Sequence, residues 1–508
     1  MADSKREIER KYEATPETRL PDLTRAAGVS AVRHRGLMEL DAVYHDTEDL
    51  RLAADSITLR RRTGGSDEGW HLKFPVSTGI RDEIHAPLND TLPEDLAGLI
   101  RSRVRDSPVI PVVRLRSARD VHHLLDEDGA LLAELSVDEV RAERLTDAGR
   151  GSTAAWTELE VELADDRDPA VLDAVERGLR EAGVLPAAAP SKLARALEET
   201  APEESGHPKD AAPPRDAGDH VLAYVRRQVT AVVALDPAVR RELPDSVHRM
   251  RVATRRLRSA FRTYRRILDR TVTDPLGDEL RWLAAELGVD RDREVLDERL
   301  RARIDALPGT LVLGPVSARL KVASTARRGG ARRRIVSVLD GRRYLDLLDS
   351  LDALLADPPL RPGAAAEPVD ALPRAVLKDY DRLAARIGRA LDQPPGHERD
   401  LALHEARKAA KRVRYAGEAA RPALGKPARR FSRRMKSVQT VLGDHQDSVM
   451  ARKALRALAV QAHAAGESAF TWGLLYGQEE SAARAREREL PDVWARASHP
   501  RPRTAWKG

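Results

Sequence analysis

One pattern in the first two hundred residues restricts what they can fold into. Charges of one sign recur at every second position, and the sign is sorted by segment. In residues 6–12, Glu7, Glu9 and Lys11 share one parity and Ile8, Arg10 and Tyr12 the other. On a β-strand, positions i, i+2 and i+4 point to one face, so two carboxylates and an ammonium stand side by side. Four further segments behave alike. Thr58, Arg60 and Arg62 oppose Ile57 and Leu59; His71 and Lys73 oppose Trp70, Leu72 and Phe74. Glu158, Glu160 and Glu162 oppose Leu159, Val161 and Leu163, and residues 113–116 continue the alternation. One such segment alone reads as the wetted side of an ordinary sheet. A wetted side gives no reason for sorting by sign; a closed barrel with a charged interior does. Crowded carboxylates on one wall repel unless a cation lies between them, and Arg and Lys on the facing walls suit phosphate. The apolar parities then face outward, under helices expected at 16–27, 91–103 and 169–182.

The chain has 508 residues and no cysteine, so disulfides and thiolate metal sites are excluded. Any metal is held by oxygen or imidazole, which favours magnesium, manganese or calcium. The 42% apolar content allows sizeable cores. No apolar run reaches the roughly 18 residues that a membrane span needs, and residues 1–5 lack the apolar core of a signal peptide. A cytoplasmic protein without a membrane partner is expected. The net charge of +6 hides a division: residues 1–200 carry 28 Lys+Arg against 40 Asp+Glu, and the remainder 59 against 41. The basic half is the one that should attract polyanions.

Residues 1–200 resemble the CYTH family, the triphosphate tunnel metalloenzymes. The family's Glu-x-Glu-x-Lys motif matches Glu7, Glu9 and Lys11, and its Arg-x-Arg strand matches Arg60 and Arg62, after a family-like stretch at 44–50. Its lone-lysine strand matches Lys73. Its paired arginines look like Arg116 and Arg119. Its late acidic strand looks like Glu158, Glu160 and Glu162, with Asp138 upstream, and its terminal Ser-Lys looks like Ser191 and Lys192. Arg81 and Glu83 fit a weaker motif. The resemblance implies an antiparallel tunnel barrel that hydrolyses inorganic, thiamine or nucleoside triphosphates or cyclises ATP. It implies Mg2+ or Mn2+ as cofactor, held by carboxylates among Glu7, Glu9, Asp138, Glu158, Glu160 and Glu162. Alternation leaves open which late glutamates bind it. Lys11, Arg60, Arg62, Lys73, Arg116, Arg119 and Lys192 are the implied phosphate clamps.

Residues 201–219, rich in Pro, Gly, Ala and charge, read as a linker. Beyond them the period becomes helical, with a second Pro/Ala-rich break at 357–368. Two stretches agree in spacing. From His248, cations follow at +3, +7 and +10 (Arg251, Arg255, Arg258); from His404, at the same offsets (Arg407, Lys411, Arg414), with Lys408 beside them. Each lays a histidine and three cations along one helix face. Each is followed, 44 or 43 residues after its histidine, by Asp292 or Asp447 in what reads as a Gly-Asp loop. The agreement indicates an internal duplication and a pseudo-two-fold bundle. Like charges at i, i+4 destabilise a helix by a few tenths of a kcal/mol per pair, so such stripes need a partner.

This half resembles the CHAD domain, which implies inorganic polyphosphate binding at His248, Arg251, Arg255, Arg258, His404, Arg407, Lys408, Lys411 and Arg414. The histidines are either ligand contacts or internal hydrogen-bonding groups. Aromatics are 4% of the chain, too sparse for the base stacking of single-strand binders, so nucleic acid is not an expected partner. The expected fold is α+β. An N-terminal antiparallel β-barrel tunnel with flanking helices (1–200) leads through the linker to an all-α bundle (220–500), with repeats at about 220–356 and 369–490. The expected function is triphosphate hydrolysis joined to polyphosphate binding in the cytoplasm. The alternative is a non-catalytic protein that targets polyphosphate granules.

Overall fold

Each period-two stretch lies on a strand. The structure, a computed structural model, describes residues 3–499 except 66, 148, 202–212 and 329. The strands are β1 (Asp3–Ala14), β2 (Ala31–Asp46), β3 (Thr58–Thr63), β4 (Gly69–Ser77), β5 (Ile80–Ala86), β6 (Ile110–Leu125), β7 (Leu131–Arg144) and β8 (Thr153–Leu163). They close into an antiparallel barrel in the order β1-β5-β4-β3-β2-β6-β7-β8. β1 makes the closure: residues 3–8 pair with β5 and residues 9–14 with β8.

The parities sort as the charges require. Tyr12, Leu159 and Val161 point outward and are buried with Leu172, Val175 and Leu179 of the helix Ala170–Glu181. Each such buried side chain contributes about 1.5–3 kcal/mol. Outward-facing Arg10 is held by Asp173 and Glu176 of that helix. On the other side, Leu59, Trp70 and Leu72 pack with Leu96, Leu99 and Ile100.

Among the described residues, four helices flank the barrel: α1 (Arg51–Ala54), α2 (Glu94–Val104), α3 (Ala170–Glu181) and α4 (Lys192–Glu199). Two of the three expected helices are present. The one expected at 16–27 is not; only a 3-10 turn, Leu23–Arg25, forms there, capped by the Asp22 side chain. Pro16 and Pro21 explain the difference, because the residue before a proline is pushed out of the helical region.

The chain divides into two compact units, Met1–Asp210 and Ala211–Gly508. Most of the expected linker, 202–212, lies outside the described residues. Helix α5 starts at Ala217, capped by the Asp216 side chain, so residues 217–219 are already helical. The second unit is built of helices: α5 (Ala217–Arg240), α6 (Ser246–Thr263), α7 (Arg270–Glu286), α8 (Gly288–Asp305), α9 (Val316–Arg328), α10 (Ala331–Asp340), α11 (Arg342–Ala356), α12 (Pro368–Asp392), α13 (His397–Leu424), α14 (Lys426–Ala464) and α15 (Phe470–Ala497). The helices bearing the two His-headed stripes, α6 and α13, pack on each other. Tyr264 Oη donates to the Ala416 carbonyl at 2.9 Å, and Arg256 meets Glu418 at 3.0 Å.

The two Gly-Asp stretches are not loops. Residues 442–447 lie inside α14, and residues 288–292 open α8 directly after α7. The glycines serve close approach instead. A Cβ on Gly288 would sit 2.8 Å from the Arg251 guanidinium, and one on Gly443 3.8 Å from that of Arg407. In both repeats the cation three residues after the histidine lies against a glycine of the neighbouring helix.

Candidate active site in the barrel and basic face of the bundle

The barrel lumen encloses about 300 Å³, lined by Glu7, Glu9, Lys11, Arg60, Arg62, Lys73, Arg119, Glu160, Glu162 and Lys192, among others. The strand order places the acidic pair β8–β1 across the ring from β3, whose Arg60 and Arg62 line the lumen. Most lumen carboxylates thus gather on one wall, with lysines set among them, and the arginine pair stands on the other.

Lysines bridge the carboxylates. Lys73 Nζ lies 2.6 Å from both Glu7 oxygens. Lys11 sits between Glu9, at 3.1 Å, and Glu160. Lys192 meets Asp138 at 2.9 Å, Glu158 at 2.8 Å and Glu160 at 2.6 Å. It reaches them because Ser191 caps α4, accepting from the Ala194 amide at 3.1 Å, which fixes where the next side chain enters. Arg119 forks onto Asp138 at 2.7 and 2.8 Å and reaches Glu160 at 2.8 Å. Glu162 is nearer the solvent, paired with Lys5 at 2.9 Å.

Electrostatics reflects the crowding. Burial pushes the Glu7 carboxyl up to about 7; Lys73 opposes the shift and Glu83 adds to it. Glu160 is held well below the usual range, because Lys11, Lys192 and Arg119 outweigh its burial. Arg62 is pulled down to about 9 by burial and by the neighbouring Arg60 and Arg119. The Nε atoms of Arg60 and Arg62 are buried and make no hydrogen bond. Buried guanidinium donors of this kind suit an anionic acceptor.

Three expected site residues, Arg116, Asp138 and Glu158, lie outside the cavity lining. Arg116 is not in the lumen: its side chain is 59% exposed and faces Asp41 at 3.7 Å. Arg116 and Arg119 are three residues apart on a stretch of β6 in unbroken register with β7, so they face opposite sides. Asp138 and Glu158 do not line the cavity; Asp138 pairs with Arg119 and Lys192 and Glu158 with Lys192 and the Trp156 indole, which donates at 2.6 Å. That leaves Glu7, Glu9, Glu160 and Glu162 lining the cavity. These donors are all carboxylate oxygens, which fits a hard divalent ion such as Mg2+ or Mn2+. Sequence reasoning passed over three charged lining groups, Lys5, Asp67 and Glu134. Lys5 shares the parity of Glu7 and could have been found by extending it.

In the helical unit, Arg251, Arg255, Arg407 and Lys411 form one electropositive cluster. Burial, Arg407, Arg255 and Arg251 together pull the Lys411 ammonium down to about 7, opposed by Asp447. Arg258 is pulled down to about 10 by burial and by Arg262 and Arg281. The Nε atoms of Arg255 and Arg258 are buried without a hydrogen bond. A cavity of about 420 Å³ continues from Arg258 past Arg262, Arg265, Arg382 and Arg412. Arg262 stands at +14 from His248, the next step of the same spacing. At +14 from His404 stands Glu418, which binds Arg256 and Arg414, so the second stripe ends there. Lys408 is exposed and paired with Glu405 at 2.7 Å, off the cluster. His248 is exposed. His404 hydrogen-bonds the Gln446 side chain at 2.7 Å, a contact within the bundle.

The described residues contain no helix long and apolar enough to cross a membrane. Family models match along both halves: CYTH over residues 5–197 and CHAD over residues 223–456. Two proteins of Mycobacterium tuberculosis, "Uncharacterized protein MT2285" and "Uncharacterized protein Rv2226", are each 40% identical over 502 residues, covering 95% of this chain and 94% of theirs. The chain is a CYTH–CHAD protein. Among solved structures, PptA from Streptomyces chartreusis is similar at 22% identity and a TM-score of 0.47, covering 55% of this chain and 99% of its own. HpAC1 from Hippeastrum is similar at 19% identity and 0.23, covering 40% and 100%. The eight-stranded barrel is the CYTH domain and the helical bundle carries the CHAD domain.

Proposed function

We propose that the CYTH domain hydrolyses inorganic triphosphate or a related triphosphate with Mg2+ or Mn2+, and that the CHAD domain holds inorganic polyphosphate. The observation that carries the first part is the segregated lumen. Carboxylates stand on β1 and β8, and buried arginines with unused Nε donors stand across the ring on β3. Phosphoryl transfer requires positioning and charge neutralisation more than covalent chemistry from the protein. Arg60, Arg62 and Arg119 bind and orient the phosphate chain through charge-assisted hydrogen bonds. Lys73 and Lys11 balance the acidic wall and add positive charge along the substrate. Glu7, Glu9, Glu160 and Glu162 would hold the metal, which when bound neutralises phosphate charge and lowers the pKa of a water. The narrow charged lumen, about 300 Å³, favours a bare phosphate chain and limits bulk water around it.

The second part is supported by the cluster of Arg251, Arg255, Arg407 and Lys411, where burial and the three neighbouring guanidiniums depress the Lys411 ammonium. A panel of tripolyphosphate, ATP and thiamine triphosphate on the full chain tests the substrate. Polyphosphate binding competed with DNA tests the CHAD ligand; equal competition by DNA would end the polyphosphate preference. Reversing the charge at Arg255 and Lys411 should abolish polyphosphate binding and leave hydrolysis largely intact.

A further inference from the structure

On β2 the inward residues Met38 and Leu40 are even-numbered and line the lumen. That parity alone would send His34 inward too. The register between β2 and β6 slips at Arg35, between the pairs His34↔His122 and Gly36↔Val121. Such a bulge re-aims the side chains beyond it. His34 therefore turns to the outer wall, directly opposite His122 and on the side where Leu124 enters the outer core. Asp120, two residues before His122, shares that face. Its two carboxylate oxygens accept one hydrogen bond each, from His34 Nε2 at 2.6 Å and His122 Nε2 at 3.1 Å. The two rings lie 5.1 Å apart. One ligand atom from each residue lies within 4.8 Å of the others.

We infer that His34, Asp120 and His122 form a second metal site on the outer wall of the barrel, for a zinc-class divalent ion. Two imidazole nitrogens and a carboxylate oxygen are a donor set that Zn2+ takes with a water in the fourth position. The nitrogens select against Mg2+, which prefers all-oxygen sites. The site opens to solvent, since His34 is 60% and Asp120 39% exposed, so an ion can enter without unfolding. No lysine or arginine contact to Asp120 is seen among the described residues, and its carboxyl is held low by the two histidines against a burial effect. The bundle's similar set differs on this point. Around His445, Asp400 is already bound by Arg452 at 2.9 Å and Glu487 by Arg399 at 3.3 Å, so those carboxylates are neutralised and form a structural ion-pair network. A bound ion at the barrel site would pin β2 to β6 and stabilise the folded state, because an unfolded chain offers no such site. This inference is independent of what the lumen hydrolyses.

The test uses the full chain in excess Mg2+, which occupies oxygen-only sites. Zn2+ titrated by calorimetry should bind at one equivalent per chain and raise the thermal midpoint. Co2+ in its place should give the intense visible bands of a low-coordinate site. H34Q at an exposed position and H122Q at a half-buried one should each weaken Zn2+ by at least about 10-fold, since even a lost supporting hydrogen bond costs 10–100-fold. Tripolyphosphate hydrolysis in Mg2+ should not change in either variant. Zn2+ binding of unchanged affinity in both variants, or no Zn2+ uptake by the wild type in excess Mg2+, would overturn the site.

Discussion

Replacing Lys411 by arginine should remove a pH dependence from polyphosphate binding. Lys411 is pulled down to about 7 by burial, then by Arg407, Arg255 and Arg251, with Asp447 opposing. A polyanion laid along the cluster restores the ordinary lysine value near 10.4. Binding therefore takes up a proton whenever the free lysine is neutral. Below pH 7 the free lysine is already charged and no such term arises. Above it, each pH unit disfavours binding by about 1.4 kcal/mol. By pH 9 the loss is about 2.7 kcal/mol, an affinity drop of about 100-fold as a ceiling. Arginine stays charged throughout this range, so Lys411→Arg should bind with nearly constant affinity from pH 6 to 9. Fluorescence anisotropy with end-labelled long-chain polyphosphate, at fixed ionic strength, measures both curves. A wild-type affinity that is flat over that range, or a variant that falls as steeply as the wild type, would refute the reasoning.

Further outcomes follow from the barrel and the bundle core. Arg62→Ala should lower kcat for triphosphate hydrolysis by about 10²–10³, as other preorganised charge stabilisers do, with the barrel still folded by circular dichroism. Burial raises the Glu7 carboxyl to about 7, so it gains a proton as pH falls through neutrality. On that acid side the divalent ion must displace this proton, so in Mg2+ titrations the apparent Mg2+ affinity should weaken by about tenfold per pH unit, and in Glu7→Gln that slope should be absent. Arg240 holds fully buried Asp236 at 2.7 Å and also meets Asp340 at 2.6 Å. Arg240→Ala strips that ion pair and should destabilise the helical unit by about 3–5 kcal/mol, read from urea unfolding.

What the sequence made legible was set by side-chain period. Strand faces follow strictly from parity, so the lumen positions of Glu7, Glu9, Arg60, Arg62, Lys73 and Glu160 were readable from spacing alone. The same rule would have placed Arg116 outside, since an odd separation from Arg119 cannot share a face; motif likeness overrode it. The helix expected at 16–27 failed because the apolar spacing there ignores Pro16 and Pro21. Gly443-Asp444 resembled a loop signal, yet it sits mid-helix where a small residue lets Arg407 approach. The outward turn of His34 depends on a one-residue slip at Arg35 that parity hides. Lys192 reached the tunnel through the α4 cap at Ser191, which spacing alone gives no means to locate.

The most direct test of the tunnel reading is phosphate release from tripolyphosphate by the full chain with Mg2+ or Mn2+, repeated after chelation and with Glu9→Ala. Release that requires the metal and vanishes in the variant is the expected result. Release that persists through both chelation and the substitution would contradict the assignment of the acidic wall.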